Sequence, residues 1–112
     1  QENLDGTELL KLLYQSLRAL LRPALPNRLV RRIFELKSMV INGEYTQDPP
    51  VPVSDSCHYA WEYVICSPSE SLYKFCLKEE VLKEFESVVE KSRRYFVRHE
   101  FRSLEILETL TA

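Results

Sequence analysis

The hydrophobic positions of this 112-residue chain recur at helical spacing in blocks that proline-rich or polar segments separate. The block from Asn27 to Gly43 is apolar around much of its circumference, which predicts a central helix with other helices packed on several sides. Pro26 and a candidate N-cap at Asn27 predict its start. Gly43 predicts its end, because glycine readily adopts the left-handed conformation that closes a helix.

The remaining blocks predict further helices around this central one. The segment 44–53 has three prolines and no periodicity, so it predicts a loop. Tyr59, Ala60, Tyr63, Val64 and Trp61 are expected to face inward from the helix that follows this loop. The resulting fold class is all-α, a single compact bundle of five to six helices. The predicted outer helices run from Asp5 or Thr7 to Arg22, from Ser54 or Asp55 to Ser67, from Pro68 to Phe75, from Lys78 to Glu100, and from Leu104 to Leu110 with Ser103 as cap.

Composition narrows the class of protein further. The chain is 45% hydrophobic and 29% charged with a net charge of −2, which is typical of a globular domain rather than a generally basic nucleic-acid binder. No apolar run approaches the roughly 20 residues that a membrane span needs, and no basic region precedes an apolar N-terminal stretch. We therefore expect a cytoplasmic protein without membrane contact. The start at Gln1 suggests a fragment of a longer chain.

Catalytic and metal-binding motifs are absent from the sequence. The three cysteines, Cys57, Cys66 and Cys76, form no C-x-x-C pair, so we expect reduced thiols and neither a disulfide framework nor a zinc site. The histidines His58 and His99 are far apart in sequence and follow no nucleophile pattern. The sequence thus predicts no enzyme and no cofactor.

Clusters of arginine are the strongest candidate binding features. Arg28, Arg31 and Arg32 stand at the start of the central helix, where positive charge opposes the helix dipole, and only Glu35 is close to them in sequence. Guanidinium groups bind phosphates and carboxylates in forked geometry, so either a nucleic acid or an acidic protein segment fits such a cluster. Further bases that belong with these clusters are Arg18, Arg22 and Lys37 near the central helix, and Arg93, Arg94, Arg98 and Arg102 near the C-terminus.

Three stretches of the chain together resemble the C-terminal helical domain of the bacterial recombination mediator RecO. They are RRIFELKSMVINGEY, LYKFCLKEEVLKEFE and YFVRHEFRSLEILETL. In that family the first stretch is a helix with Phe-Glu-Leu, here residues 34–36, that ends in a glycine, here Gly43. The last stretch carries a Lys/Arg-Ser-Leu signature, here residues 102–104. Many family members have a four-cysteine zinc finger after the glycine, and here residues 44–56 contain no cysteine. The family's N-terminal OB domain, which binds single-stranded DNA, has no counterpart in this chain.

The resemblance implies a non-catalytic role in recombinational DNA repair at the nucleoid. RecO proteins displace single-strand DNA-binding protein, load RecA together with RecR, and anneal complementary strands. Their helical domain docks the acidic, phenylalanine-ended tail of the single-strand DNA-binding protein. The resemblance implies cations for this tail at Arg32, Arg31 and Arg28, with Lys37 nearby, and an apolar pocket from Leu29 and Ile33.

Two other functions stay open at this point. Direct binding of single-stranded DNA needs a continuous basic track from Arg32 to Arg94 and Arg98, whereas tail docking needs an apolar pocket beside Arg31 and Arg32. A helical interaction module without any tie to DNA would show neither geometry. If Arg32 docks the tail from the surface, Arg32→Ala should weaken tail binding by about 1–3 kcal/mol with little change in thermal stability.

Overall fold

The protein forms an all-α bundle, as the sequence predicts. The structure, a computed structural model, describes residues 2–96, and the side chains of residues 6–95. Between residues 2 and 96 it contains four α-helices, one 3-10 turn and no strand. The sequence predicts five helices in this range, so the predicted number of helices is slightly too high. The helices are α1 (Glu2–Leu20), α2 (Asn27–Ile41), α3 (Asp55–Cys66) and α4 (Glu79–Phe96), with the 3-10 turn at Ser69–Ser71 between α3 and α4.

Helix α2 is the centre of the bundle, because it packs against α1, α3 and α4. Its side chains are buried almost all the way round, which confirms the prediction made from its apolar circumference. The fully or nearly fully buried residues of α2 are Leu29, Val30, Ile33, Phe34, Glu35, Leu36, Lys37, Ser38 and Met39.

The start of α2 differs from its prediction by one residue, whereas its end is as predicted. The N-cap is Pro26, whose carbonyl accepts bonds from the backbone of Leu29 and Val30, so the predicted Asn27 cap is wrong by one residue. At the other end Gly43 has φ of 78° and its N–H donates to the Val40 carbonyl. The backbone N–H of Glu44 donates to the Met39 carbonyl at 2.8 Å. This pair of bonds is a Schellman motif, as Gly43 predicts.

The segment between α3 and α4 differs from its prediction. Pro68 begins only the three-residue 3-10 turn, so the predicted helix to Phe75 is wrong. The chain instead turns Leu72 and Tyr73 into the core, and the Tyr73 hydroxyl forms a hydrogen bond with Ser16 of α1. Contacts with α1 therefore order this segment in place of helical hydrogen bonds. The predicted helix 104–110 and its Ser103 cap lie outside the described residues.

Helix α3 begins at its predicted cap. The Ser54 hydroxyl accepts a bond from the Cys57 N–H, and the Glu84 carboxylate of α4 accepts bonds from the Ser54 N–H and hydroxyl at 2.8 and 2.7 Å. Trp61 is buried, as predicted, whereas Tyr59 is 71% exposed and its predicted inward orientation is wrong. A residue two positions before Trp61 lies about 200° around the helix, so burying one side chain exposes the other.

The loop 44–53 is held against α3 through the indole of Trp61, which donates to the Thr46 carbonyl at 3.2 Å. Val51 and Val53 pack against the core from the same loop. Within residues 2–96, none of the helices combines the length and apolarity required to cross a membrane.

Candidate protein-docking site

The arginine at the centre of the predicted site is anchored inside the fold. The Arg32 side chain is 19% exposed and donates to Glu35 at 2.6 Å and to Glu90 of α4 at 3.1 Å. The Glu35 carboxylate has no solvent exposure at all. The expectation that Arg32 lies freely at the surface is therefore wrong, because this guanidinium neutralises a buried carboxylate.

The other two arginines of the run are also paired. Arg28 binds Glu79 at 3.0 Å and Glu86 at 2.6 Å, and these hydrogen bonds raise the pKa of its guanidinium. Arg31 lies 3.3 Å from the Glu35 carboxylate and keeps 38% exposure. Glutamates of α4 thus offset the unfavourable charge at the start of α2, which corrects the interpretation that only Glu35 is available to these arginines.

Glu90 joins the arginines of α4 to those of α2. Arg93 and Arg94 lie 3.4 and 3.1 Å from the Glu90 carboxylate, which also accepts from Arg32. Burial opposes ionisation of Glu90, but these cations outweigh burial and lower its pKa. We call the whole group the arginine–glutamate network. Its members are Arg28, Arg31, Arg32, Arg93, Arg94, Glu35, Glu79, Glu86 and Glu90.

The residues expected to line a pocket beside the network lie inside the protein. Leu29 and Ile33 have no solvent exposure and belong to the core. Lys37 is 9% exposed and donates from Nζ to the Ile65 carbonyl at 3.1 Å, and burial lowers the pKa of its ammonium group. These three residues therefore offer no docking surface, since α2 is covered on the sides that carry them.

The alternative nucleic-acid residues are only partly described. Arg93 and Arg94 belong to the arginine–glutamate network, and Arg94 is 78% exposed. Arg98 and Arg102 lie beyond residue 96, outside the described part of the chain. Among residues 2–96 the arginines alternate in space with glutamates, so they form no continuous basic track between Arg32 and Arg94. The predicted residues therefore provide neither this track nor the pocket of Leu29 and Ile33, and at these residues the geometry is that of a helical interaction module.

A groove of about 680 Å³ opens between α3 and the segment 74–77. Its wall is mostly apolar, and the Tyr63 and Phe75 rings meet edge to face at 5.1 Å. The Tyr63 hydroxyl donates to the Ser71 carbonyl at 2.6 Å, which fixes this wall to the 3-10 turn. The groove is lined by Asp55, Ser56, Tyr59, Ala60, Tyr63, Lys74, Phe75, Cys76 and Leu77.

Lys74 is an exposed cation on the lining of this groove. Its side chain forms no ion pair or hydrogen bond with another residue that the structure describes. Lys74 also lines a small neighbouring depression with Arg22, which follows the end of α1 and is equally unpaired within residues 2–96. The carboxylates at these two sites belong to Asp55 and Glu70. Two unpaired cations therefore stand beside an apolar groove.

The sequence did not identify this groove. It predicts a helix for Lys74 and Phe75 that does not form, and it predicts that Tyr59 lies in the core. An exposed tyrosine one turn before a second tyrosine is a weak signal by itself, because the opposite wall comes from a segment eleven or more residues later in the chain.

No protein-family model, curated protein or solved structure matches this chain. A function for the chain therefore depends on its own residues and on the resemblance of its sequence motifs. Among the described residues, the candidate docking surfaces are the arginine–glutamate network and the groove beside Lys74.

Proposed function

We propose that this chain is a non-catalytic docking domain of a RecO-like recombination mediator. Its partner is the acidic, phenylalanine-ended tail of the single-strand DNA-binding protein. The resemblance of the stretches that contain Phe34-Glu35-Leu36 and Arg102-Ser103-Leu104 supports the family. The observation that carries the docking role is the apolar groove with the unpaired Lys74 on its lining.

The groove suits the last residue of such a tail. An aromatic side chain buries about 150–250 Å² when it is enclosed, and edge-to-face contact with Tyr63 or Phe75 adds about 0.5–1.5 kcal/mol. The terminal carboxylate of the phenylalanine then pairs with Lys74, and charge-assisted hydrogen bonds of this kind are stronger than neutral ones. Acidic residues that precede the phenylalanine extend towards Arg22.

The carboxylates around the groove restrict how the tail binds. Asp55 lies in the first turn of α3, about 12 Å along the helix from Tyr63 at 1.5 Å per residue. An acidic segment is repelled at the Asp55 end, whereas beside Lys74 the two cations Lys74 and Arg22 outnumber the one carboxylate, Glu70. The tail therefore enters from the side of Lys74 and Arg22, with its phenylalanine between Tyr59 and Phe75.

The arginine–glutamate network is a weaker place for the same tail. An incoming carboxylate has to compete there with Glu35, Glu79, Glu86 and Glu90, which are already hydrogen-bonded to the arginines. Separating a partly buried pair costs several kcal/mol unless the new partner replaces all the lost bonds. Lys74 requires no such exchange.

The wider role follows from the family that the sequence resembles. Docking on the tail would bring the mediator to coated single-stranded DNA, where it acts with RecR to load RecA in the cytoplasm at the nucleoid. A longer protein would supply the domain that binds single-stranded DNA. The chain itself performs no chemistry in this proposal.

Direct binding of single-stranded DNA is the second candidate function. The observation in its favour is that Arg32, Arg93 and Arg94 converge on one carboxylate, Glu90, so the two arginine clusters share one face. Phosphates would have to displace that glutamate, so we expect weak binding that declines steeply with added salt.

A fluorescence-anisotropy titration tests the proposed function. The probe is a labelled peptide of acidic residues that ends in phenylalanine, and the comparison probes are the peptide without its phenylalanine and a labelled oligonucleotide. We expect phenylalanine-dependent binding that Lys74→Glu weakens at least about tenfold, since a charge-assisted bond contributes about 1.5–3 kcal/mol.

Lys11→Glu on α1 is the matched control, because it makes the same charge change at an exposed residue that lines neither site. Equal losses in the two variants would show only a general charge effect. Binding of the oligonucleotide alone would contradict the docking function and favour the second candidate.

A further inference from the structure

Three side chains with metal-binding atoms meet where the loop 44–53 crosses α3. The Nε2 atom of His58 lies 3.5 Å from an oxygen of Asp48, and its Nδ1 atom lies 3.7 Å from an oxygen of Glu62. His58 and Glu62 are four residues apart on α3, so they share one face of the helix. The third donor, Asp48, belongs to the loop 44–53.

The spacing of the donor atoms is close to that of a metal centre. One ligand atom from each residue can be chosen such that all three lie within 4.8 Å of one another. Bonds of 2.0–2.2 Å around tetrahedral Zn²⁺ place neighbouring ligands about 3.3–3.6 Å apart. In the structure Asp48 faces Nε2 and Glu62 faces Nδ1 of the same imidazole, and an ion bonds to only one of these nitrogens. Binding therefore requires rotamer changes of His58 or Glu62, which the 42–75% exposure of the three side chains permits without disturbing the core.

The charge of this group also favours a cation. Neither Asp48 nor Glu62 forms an ion pair with a lysine or arginine in the part of the chain that the structure describes. Among the described residues, no lysine or arginine therefore competes with an incoming cation for these two carboxylates. Imidazole nitrogen with carboxylate oxygen is a donor set that Zn²⁺ accepts, with water in the fourth position.

We propose that Asp48, His58 and Glu62 form a binding site for Zn²⁺ or a similar divalent transition-metal ion. The bound ion ties the loop 44–53 to α3, next to the hydrogen bond between Trp61 and Thr46. The expectation of no metal arose from the lack of cysteine ligands in this loop, and the present site uses nitrogen and oxygen donors instead. The site is independent of the proposed docking function.

Isothermal titration calorimetry of the 112-residue chain with ZnCl₂ tests the site. We expect one ion per chain, at least a tenfold loss of affinity in Glu62→Gln, and no measurable binding in His58→Ala. The matched control is His99→Ala, which removes the other histidine of the chain, lies outside the described residues, and should leave affinity unchanged. Unfolding curves of each variant establish that the fold is retained.

Two further measurements separate this site from the thiols. The variant Cys66→Ser/Cys76→Ser removes the two exposed cysteines and should bind Zn²⁺ as the parent chain does. CoCl₂ should quench the fluorescence of Trp61, the single tryptophan of the chain, and this quenching should disappear in Asp48→Asn. No binding by the parent chain, unchanged affinity in His58→Ala, or loss of binding only in the cysteine variant would each overturn the proposal.

Discussion

The α2–α4 face and the groove between α3 and residues 74–77 use charge in opposite ways. On the α2–α4 face, five arginines are held by four glutamates, and one of these, Glu35, is fully buried. In the groove, one exposed lysine lies beside aromatic side chains with no carboxylate paired to it. The first face joins two helices, and the second leaves charge available for a partner.

This difference shows that a dense run of arginines in a sequence can be fully paired within the fold. The sequence displays its densest positive charge at Arg28, Arg31 and Arg32, yet the fold uses these residues to neutralise acids from α4 and α2 itself. A lone lysine attracts less attention in a sequence but keeps its full capacity for an external carboxylate. The comparison leads to four predictions, from the largest expected effect to the smallest.

Removing Arg32 should break the network from the inside. Arg32→Ala leaves the buried Glu35 carboxylate without its closest cation, which lies at 2.6 Å. Loss of one partner of a buried pair costs about 3–5 kcal/mol, and the partial exposure of this pair reduces our expectation to about 2 kcal/mol. The midpoint of thermal unfolding should fall by about 10 °C in calorimetry.

Arg94→Ala is the control for this substitution, because Arg94 also contacts Glu90 but is 78% exposed. We expect a change below about 0.5 kcal/mol for this variant. If Arg32→Ala is as stable as the parent chain, Arg32 does not stabilise the fold, as the sequence predicts for a surface residue.

Removing the aromatic ring of Tyr59 should separate binding from stability. Tyr59→Ala deletes a wall of the groove from a side chain that is 71% exposed, so we expect affinity for the acidic phenylalanine-ended peptide to fall about three- to tenfold. Thermal stability should change by less than about 0.5 kcal/mol. Tyr14→Ala on α1, where the tyrosine is 59% exposed and outside the groove, should leave peptide affinity as it is. A loss of stability without a loss of affinity would argue against the groove.

Acidification should weaken the arginine–glutamate network through protonation of Glu90. The folded state lowers the pKa of Glu90, so the stability from this carboxylate is complete above the unfolded value of about 4.3 and is lost as pH falls through the lower folded value. Urea unfolding at a series of pH values should show a stability difference between the parent chain and Glu90→Gln that is largest above pH of about 4.5 and shrinks below it. A difference that does not depend on pH would contradict the assigned ion pairs.

The three cysteines should react at rates that follow their surroundings. Cys57 is buried, and burial raises the pKa of its thiol to about 11, whereas Cys66 and Cys76 are exposed. A disulfide reagent should therefore modify two thiols rapidly and the third only on unfolding, as counted by mass spectrometry. Because Cys76 lines the groove, saturating acidic phenylalanine-ended peptide should slow its labelling and leave that of Cys66 unchanged.

Local signals account for the parts of the fold that the sequence predicted. The central position of α2, the Schellman motif at Gly43 and the cap at Ser54 each depend on a few neighbouring residues and on helical periodicity. The segment after Pro68 was mispredicted because its conformation depends on Tyr73 reaching Ser16, 57 residues away. Contacts of that range leave no periodic signal in a sequence.

The candidate sites depend even more on contacts between residues that are far apart in the sequence. The sequence points to Arg32 but not to its partners on α4, because helical periodicity does not tell which surface meets another helix. Asp48 and His58 are ten residues apart and on different elements, so their approach to 3.5 Å depends on how the loop lies on α3.

The most direct test of the contrast between the two regions is an NMR titration of the isotope-labelled chain with the acidic phenylalanine-ended peptide. The proposed function predicts the largest amide shifts at Tyr59, Lys74, Phe75 and Cys76, with saturation at one peptide per chain. The contrary result is a set of shifts centred on Arg28, Arg31 and Arg94 with the groove unaffected. That outcome would show that the peptide binds the arginines and not the groove, and that the ion pairs of the arginine–glutamate network open on binding.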